Sequence, residues 1–175
     1  MPSKAPASTE TSPLSSPFLF VAQQAATHAR SVIWLAGNQA GDLALTAGGS
    51  AVCVVSSRLM SPQDKGTPRI DQIHRWAARA SASHCGNCAE YAAVAFVYLE
   101  KQASVRPLDF MRFSNGDHMY VVIGRAAGSD VADPSTWGRL AVVCDPWKAD
   151  NTAYPASDLR HVWPGKIPDC FYPLA

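Results

Sequence analysis

The chain carries almost no net charge: 15 Lys and Arg stand against 14 Asp and Glu, a formal +1. That removes the basic stripe through which proteins bind phosphate backbones, so no nucleic-acid partner is expected. Long apolar runs are missing too. Stretches such as Val32 to Ala36, Ala51 to Val55 and Ala92 to Leu99 fall far short of the roughly 20 residues that cross a bilayer, so no membrane span is expected. Cysteine is sparse and odd in number, with Cys53, Cys85, Cys88, Cys144 and Cys170 lacking the density of a disulfide scaffold, and mostly reduced thiols are expected. No Sec signal peptide is expected, because no apolar core follows a basic start and no cleavage site is framed.

A second Cys-x-x-Cys pair is also lacking. His84, Cys85 and Cys88 hold one such pair, which Cys144 or Cys170 would have to complete into a zinc site from distant positions. The alternative to a catalytic reading is therefore a Cys/His zinc-binding module or a noncatalytic interaction module. Dithiol redox chemistry lacks its usual setting, a preceding strand and a Trp-Cys-Gly-Pro context. No metal and no cofactor is expected.

What is present suits one domain: 175 residues, 18.7 kDa and 47% hydrophobic residues can bury a real core. Residues 1–17 are rich in Ser, Pro, Thr and Ala, with only Lys4 and Glu10 charged. Such a segment buries too little to fold alone, so a disordered leader followed by one domain from 18 to 175 is expected. Phe18, Val21, Ala25, Ile33 and Leu35 predict a first helix that breaks near Gly37. The β-branched run Val52 to Val55 reads as a short strand or buried segment, and Met60 to Pro68 as a loop. Ile70, Ile73, Trp76, Ala77 and Ala80 predict a second helix with a break at Ser81 to Ser83.

A third helix is predicted from Cys88 to about Gln102, with Asn87 as its N-cap and Tyr91, Val94, Ala95, Tyr98 and Leu99 on one stripe. Its start matters chemically. The dipole and the unpaired first-turn N–H groups stabilise a thiolate and can hold an oxyanion, which favours Cys88 over Cys85 as a nucleophile. Glu90 reads as a solvated first-turn acid. Downstream, Ser114-Asn115-Gly116-Asp117 between apolar runs predicts a hairpin, with His118 at the sheet's end where a base would sit. A third strand, Arg139 to Cys144, stops at Asp145-Pro146, since proline cannot donate to a ladder. His28, His74 and His161 lack supporting context and read as structural or surface residues.

Cys85-Gly86-Asn87-Cys88-Ala89-Glu90-Tyr91, Asp117-His118-Met119-Tyr120-Val121-Val122 and Val143-Cys144-Asp145-Pro146-Trp147 resemble the cysteine, histidine and aspartate boxes of the papain-like and transglutaminase-like superfamily. Within it, the short spacings and flexible leader look most like bacterial effector and toxin domains. The resemblance covers about Ala82 to Trp147. It implies an α+β, papain-like fold, with N-terminal helices and a central helix carrying the nucleophile packed on a small antiparallel sheet. It implies a thiol hydrolase acting on amide bonds of host proteins, as a glutamine deamidase or cysteine protease. Cys88 would be the nucleophile, His118 the base and Asp145 the group that orients it, with Asn87 or the Cys88 N–H as oxyanion donor and Trp147 shielding the His118–Asp145 bond.

The implied partners are a host protein substrate and, in delivery, a secretion chaperone or an immunity protein. Delivery into a host or target cell cytoplasm by a specialised secretion system is the implied route. The boxes depart from the family in two respects. No glutamine precedes Cys88 where papain-type enzymes place one, so the second oxyanion donor is unassigned, and the aromatic residues that transglutaminases carry beside Cys and His are replaced by Ala89 and Met119. Hydrolysis is therefore favoured over cross-linking. Substrate specificity is expected in surface loops such as Ala126 to Trp137.

Overall fold

Small side chains let the first helix approach the core closely. Helix α1 (Pro17–Val32) opens on a proline, whose missing N–H costs nothing at a first helical position, and buries Ala22, Ala25, Ala26 and Ala29. The computed structural model describes residues 16–59, 64–102 and 104–175. The expected leader lies outside them except for Ser16 and Pro17, and so does the start of the loop expected at Met60 to Pro68.

After α1 come β1 (Leu35–Ala36), α2 (Ala40–Leu45), α3 (Gly49–Leu59), α4 (Arg69–Ser83) and β2 (Cys85–Gly86), then α5 (Cys88–Glu100), β3 (Leu108–Phe113), β4 (Met119–Ile123), β5 (Val142–Cys144), β6 (Ala153–Pro155), α6 (Leu159–Val162) and β7 (Pro168–Leu174). Among the described residues this is an α+β architecture with six helices and a five-stranded antiparallel sheet in the order β6-β5-β4-β3-β7. None of the described helices is long and apolar enough to cross a membrane. Helix α5 buries residues on nearly every side, as a central helix must. It lies among α1, α4 and the strands β3 and β4.

The sheet has two buried faces, and strand alternation sorts its residues between them. Phe110, Val121, Ile123 and Cys144 join the alanines of α1 and α5 in the larger core. Met111, Phe113, Tyr120, Val122 and Val143 join Trp137, Tyr154 and Leu159 in a second one. The expected hairpin forms, with Phe110 opposite Val121 and Arg112 opposite Met119.

Two expectations are corrected. Val52 to Val55 lies in α3, not in a strand. The helix points Ser50 and Val54, four residues apart, inward, and the few tenths of a kcal/mol that each β-branched residue costs a helix is too small to exclude one. Secondly, no break occurs at Ser81 to Ser83. Helix α4 continues to Ser83 and ends when His84 adopts a left-handed φ of 56°. That conformation is costly for a residue with a Cβ, and it is offset by stacking on Trp34 at 4.3 Å between ring centres and by a ring-nitrogen bond to the Val32 carbonyl at 2.9 Å. The cysteines are mostly thiols, as expected: Cys88, Cys144 and Cys170 are free, while Cys53 on α3 is disulfide-bonded to Cys85 on β2.

Candidate active site

Cys88 is the first residue of α5, and Asn87 before it is extended at the N-cap position, as expected. The segment leading into the helix is short and constrained. β2 pairs in parallel with β1, and the Asn87 N–H donates to a Glu90 carboxylate oxygen at 2.9 Å. Glu90 is not the solvated acid expected from its first-turn position. It is 2% exposed and accepts two bonds from Arg58 of α3, at 2.9 and 2.7 Å, and one from Arg79 of α4 at 2.9 Å. Burial opposes its charge, but the Arg58 bond, the Asn87 N–H and Arg79 together hold its carboxyl below the usual range.

His118 precedes β4 and Asp145 follows β5. Extending the register of Val121 opposite Cys144 brings these two strand ends side by side. His118 Nε2 bonds Asp145 Oδ2 at 2.8 Å, with both residues buried. Cys88 stands close enough to the ring for its sulfur to favour the imidazolium, and its thiol lies 4.0 Å from the Asp117 carbonyl. Burial works against the imidazolium, but the Asp145 bond and then the Cys88 sulfur outweigh it and raise His118 to about 9. The structure thus sets a buried His118–Asp145 pair beside Cys88 at the start of α5. The other free thiols are differently placed. Burial pushes Cys170 up to about 11 and raises Cys144, whose thiol is bonded to the Ala22 carbonyl inside the core.

Two tryptophans wall the imidazole. Trp147 meets it edge-on with ring centres 5.4 Å apart, and Trp163, just beyond α6, lies 4.5 Å away. Trp163 also donates its indole N–H to Asp145 Oδ2 at 3.2 Å, a contact that sequence reasoning missed. Trp147 instead donates to Asn38 Oδ1 at 3.1 Å, and its carbonyl accepts from Gln39 at 2.6 Å. A glutamine and an asparagine therefore do reach the site's neighbourhood, from the segment after β1. The Gln39 amide is spent on a carbonyl. The Asn87 side-chain oxygen is buried without a hydrogen-bond partner.

Two clefts are lined by chain neighbours of these residues, though not by Cys88, His118 or Asp145 themselves. One, of about 440 Å³, is walled by Arg58, Leu59, Trp76, Ala89, Asp117 and Met119. The other, of about 350 Å³, lies between Asn38 to Gly41 and Trp147 to Asp150. These segments, rather than Ala126 to Trp137, flank the residues beside Cys88 and His118. The latter loop is folded on itself, with Trp137 buried and donating to the Asp130 carbonyl at 2.8 Å.

The zinc set does not assemble. Cys85 is consumed by its disulfide, and no group of three potential ligands gathers among the described residues. His28 stacks on Tyr98 and His74 pairs with Glu100 at 2.7 Å, both at the surface. In comparisons with known proteins, no family model, no curated protein and no solved structure matches this chain.

Proposed function

We propose that the chain is a papain-like thiol hydrolase that attacks amide bonds of host proteins, as a glutamine deamidase or a cysteine protease. The observation that carries this reading is the buried His118 Nε2–Asp145 bond at 2.8 Å, with Cys88 at the start of α5 close enough to favour the imidazolium. It links a nucleophile, a base and an orienting carboxylate in the required order.

The Cys88 sulfur adds to the amide carbon, and its proton resides on His118. The oxyanion is met by N–H groups at the start of α5 and by Asn87. His118 gives its proton to the departing amine or ammonia as the C–N bond breaks, leaving a thioester. Water then adds to the thioester, losing a proton to His118, and the C–S bond breaks to release the acid and the thiol. Asp145 keeps the imidazole in one orientation and tautomer throughout, and the indoles of Trp147 and Trp163 keep water from that bond.

Wild type and Cys88→Ala are to be compared on a panel of host proteins by mass spectrometry. A protease yields fragments that the variant does not; a deamidase adds about one mass unit per glutamine, from the exchange of NH₂ for OH in that hydrolysis. Products that persist in Cys88→Ala would overturn the reading. Iodoacetamide at mildly acidic pH should modify Cys88 ahead of Cys144 and Cys170.

A further inference from the structure

Little apolar surface holds α3 to the molecule. Only Ser50 and Val54 among its residues are buried, while Val52, Val55 and Leu59 are 65%, 56% and 76% exposed. A short helix with so small a buried face gains little from packing. Two other links secure it. Cys53 is bonded to Cys85, shortly before Cys88 in the chain, and Arg58 forks onto both oxygens of Glu90. Glu90 in turn holds the Asn87 N–H. A path therefore runs from α3 through one carboxylate to the backbone that carries the nucleophile. There is little slack along it, because a Cβ at Gly86 would lie 2.6 Å from the Glu90 Cβ.

We propose that Arg58 is a positioning residue for Cys88, acting through Glu90, and that the Cys53–Cys85 disulfide holds Arg58 in place. This rests on the thiol-hydrolase reading and adds a requirement to it: Cys88 must be reduced while Cys53 and Cys85 stay oxidised. Arg58 suits the task because its planar fork engages two oxygens at once. Arg79 supports the same carboxylate from α4 but contacts only one of its oxygens. Loss of the disulfide frees α3, Arg58 leaves Glu90, and the Asn87–Cys88 junction loosens.

The test is the second-order rate of iodoacetamide labelling at Cys88, read by mass spectrometry on protein whose circular dichroism shows it folded. Arg58→Ala should label about tenfold more slowly, the scale of a modest misplacement of a reacting group. The double variant Cys53→Ser, Cys85→Ser should also slow. Combined with Arg58→Ala it should be no slower than the slower parent, since both changes cut one path. Arg58→Lys should recover only a minor part, as an ammonium cannot bridge both oxygens. Should the serine double variant not fold, wild type folded in the oxidised state and then treated with a dithiol gives the same comparison. There the dithiol is oxidised to its cyclic disulfide as Cys53 and Cys85 become thiols. Wild-type labelling rates in Arg58→Ala, multiplication of the two effects, or full recovery by lysine would each overturn the proposal. Failure of wild-type Cys88 to label ahead of the other cysteines would instead remove the hydrolase reading beneath it.

Discussion

The candidate site has two halves that are built differently. His118 and Asp145 stand at the ends of neighbouring strands, both buried and bonded to each other at 2.8 Å. Their positions follow from the register of β4 on β5 and from the second core beneath, so ordinary packing fixes them. Cys88 stands where a two-residue strand turns into a helix, and its surroundings are tied by a disulfide and by a carboxylate shared between two guanidiniums. The sheet-borne half is thus held by many small contacts, the helix-borne half by a few strong ones. Damage should be graded in the first and abrupt in the second.

The largest effect is expected from removing the orienting carboxylate itself. Asp145→Asn keeps the volume but loses the charge that secures the imidazolium. Turnover of whichever protein the target panel returns should fall on the order of 10³-fold. Wild-type activity should also fade on the alkaline side near pH 9, where His118 loses its proton. In Asp145→Asn that limb should move down towards the ordinary value of 6.5. An unmoved limb would show that Asp145 does not govern His118.

Next comes the helix-borne half. Glu90→Ala leaves Arg58 and the largely buried Arg79 without their carboxylate and Asn87 without its acceptor. Breaking a buried pair on one side costs about 3 kcal/mol or more, which urea unfolding would register. A loss below about 1 kcal/mol, typical of exposed ion pairs, would refute the account of Glu90 as the tie for this half.

These halves also differed in how far they could be read in advance, and for the same reason. Asn115-Gly116 announces a hairpin, Pro146 announces a strand end, and the apolar stripe after Asn87 announces a helix, because each depends on neighbours in the chain. The ties around Cys88 are long-range. Cys53 finds Cys85 across 32 residues, and Arg58 reaches Glu90 across another 32. Without those partners in view, Val52 to Val55 looks like a strand and Glu90 like a solvated acid. Trp163 gave no local signal either, since it reaches Asp145 only after α6 has folded back.

The sheet-borne half carries a pH signature that tests its packing. His118 is raised from 6.5 to about 9 in the folded chain, so folding favours its protonated form. The stability it contributes is fully present below about 6.5 and is lost as pH rises through about 9. Subtracting the profile of His118→Gln from that of wild type, both by urea unfolding, should leave a fall of about 3 kcal/mol across that window. A flat difference would mean that the imidazolium gains nothing from Asp145 and Cys88.

The smallest expected effect separates the two tryptophans. Trp163→Phe keeps an aromatic face against His118 but removes the donor that reaches Asp145 at 3.2 Å. Asp145 Oδ2 would then have His118 as its one side-chain donor, and one such bond to a charged group is worth about 1.5 to 3 kcal/mol. Because the lost donor stabilised the carboxylate independently of His118, the carboxylate becomes a stronger partner for the imidazolium, and the alkaline limb should rise slightly rather than fall. Trp147→Phe removes a donor to Asn38 instead and should leave the limb where it is. A fall of the limb in Trp163→Phe would mean that the indole acts by shielding the His118–Asp145 bond and not by donating to it. Equal shifts in both variants would mean that the two rings do the same work.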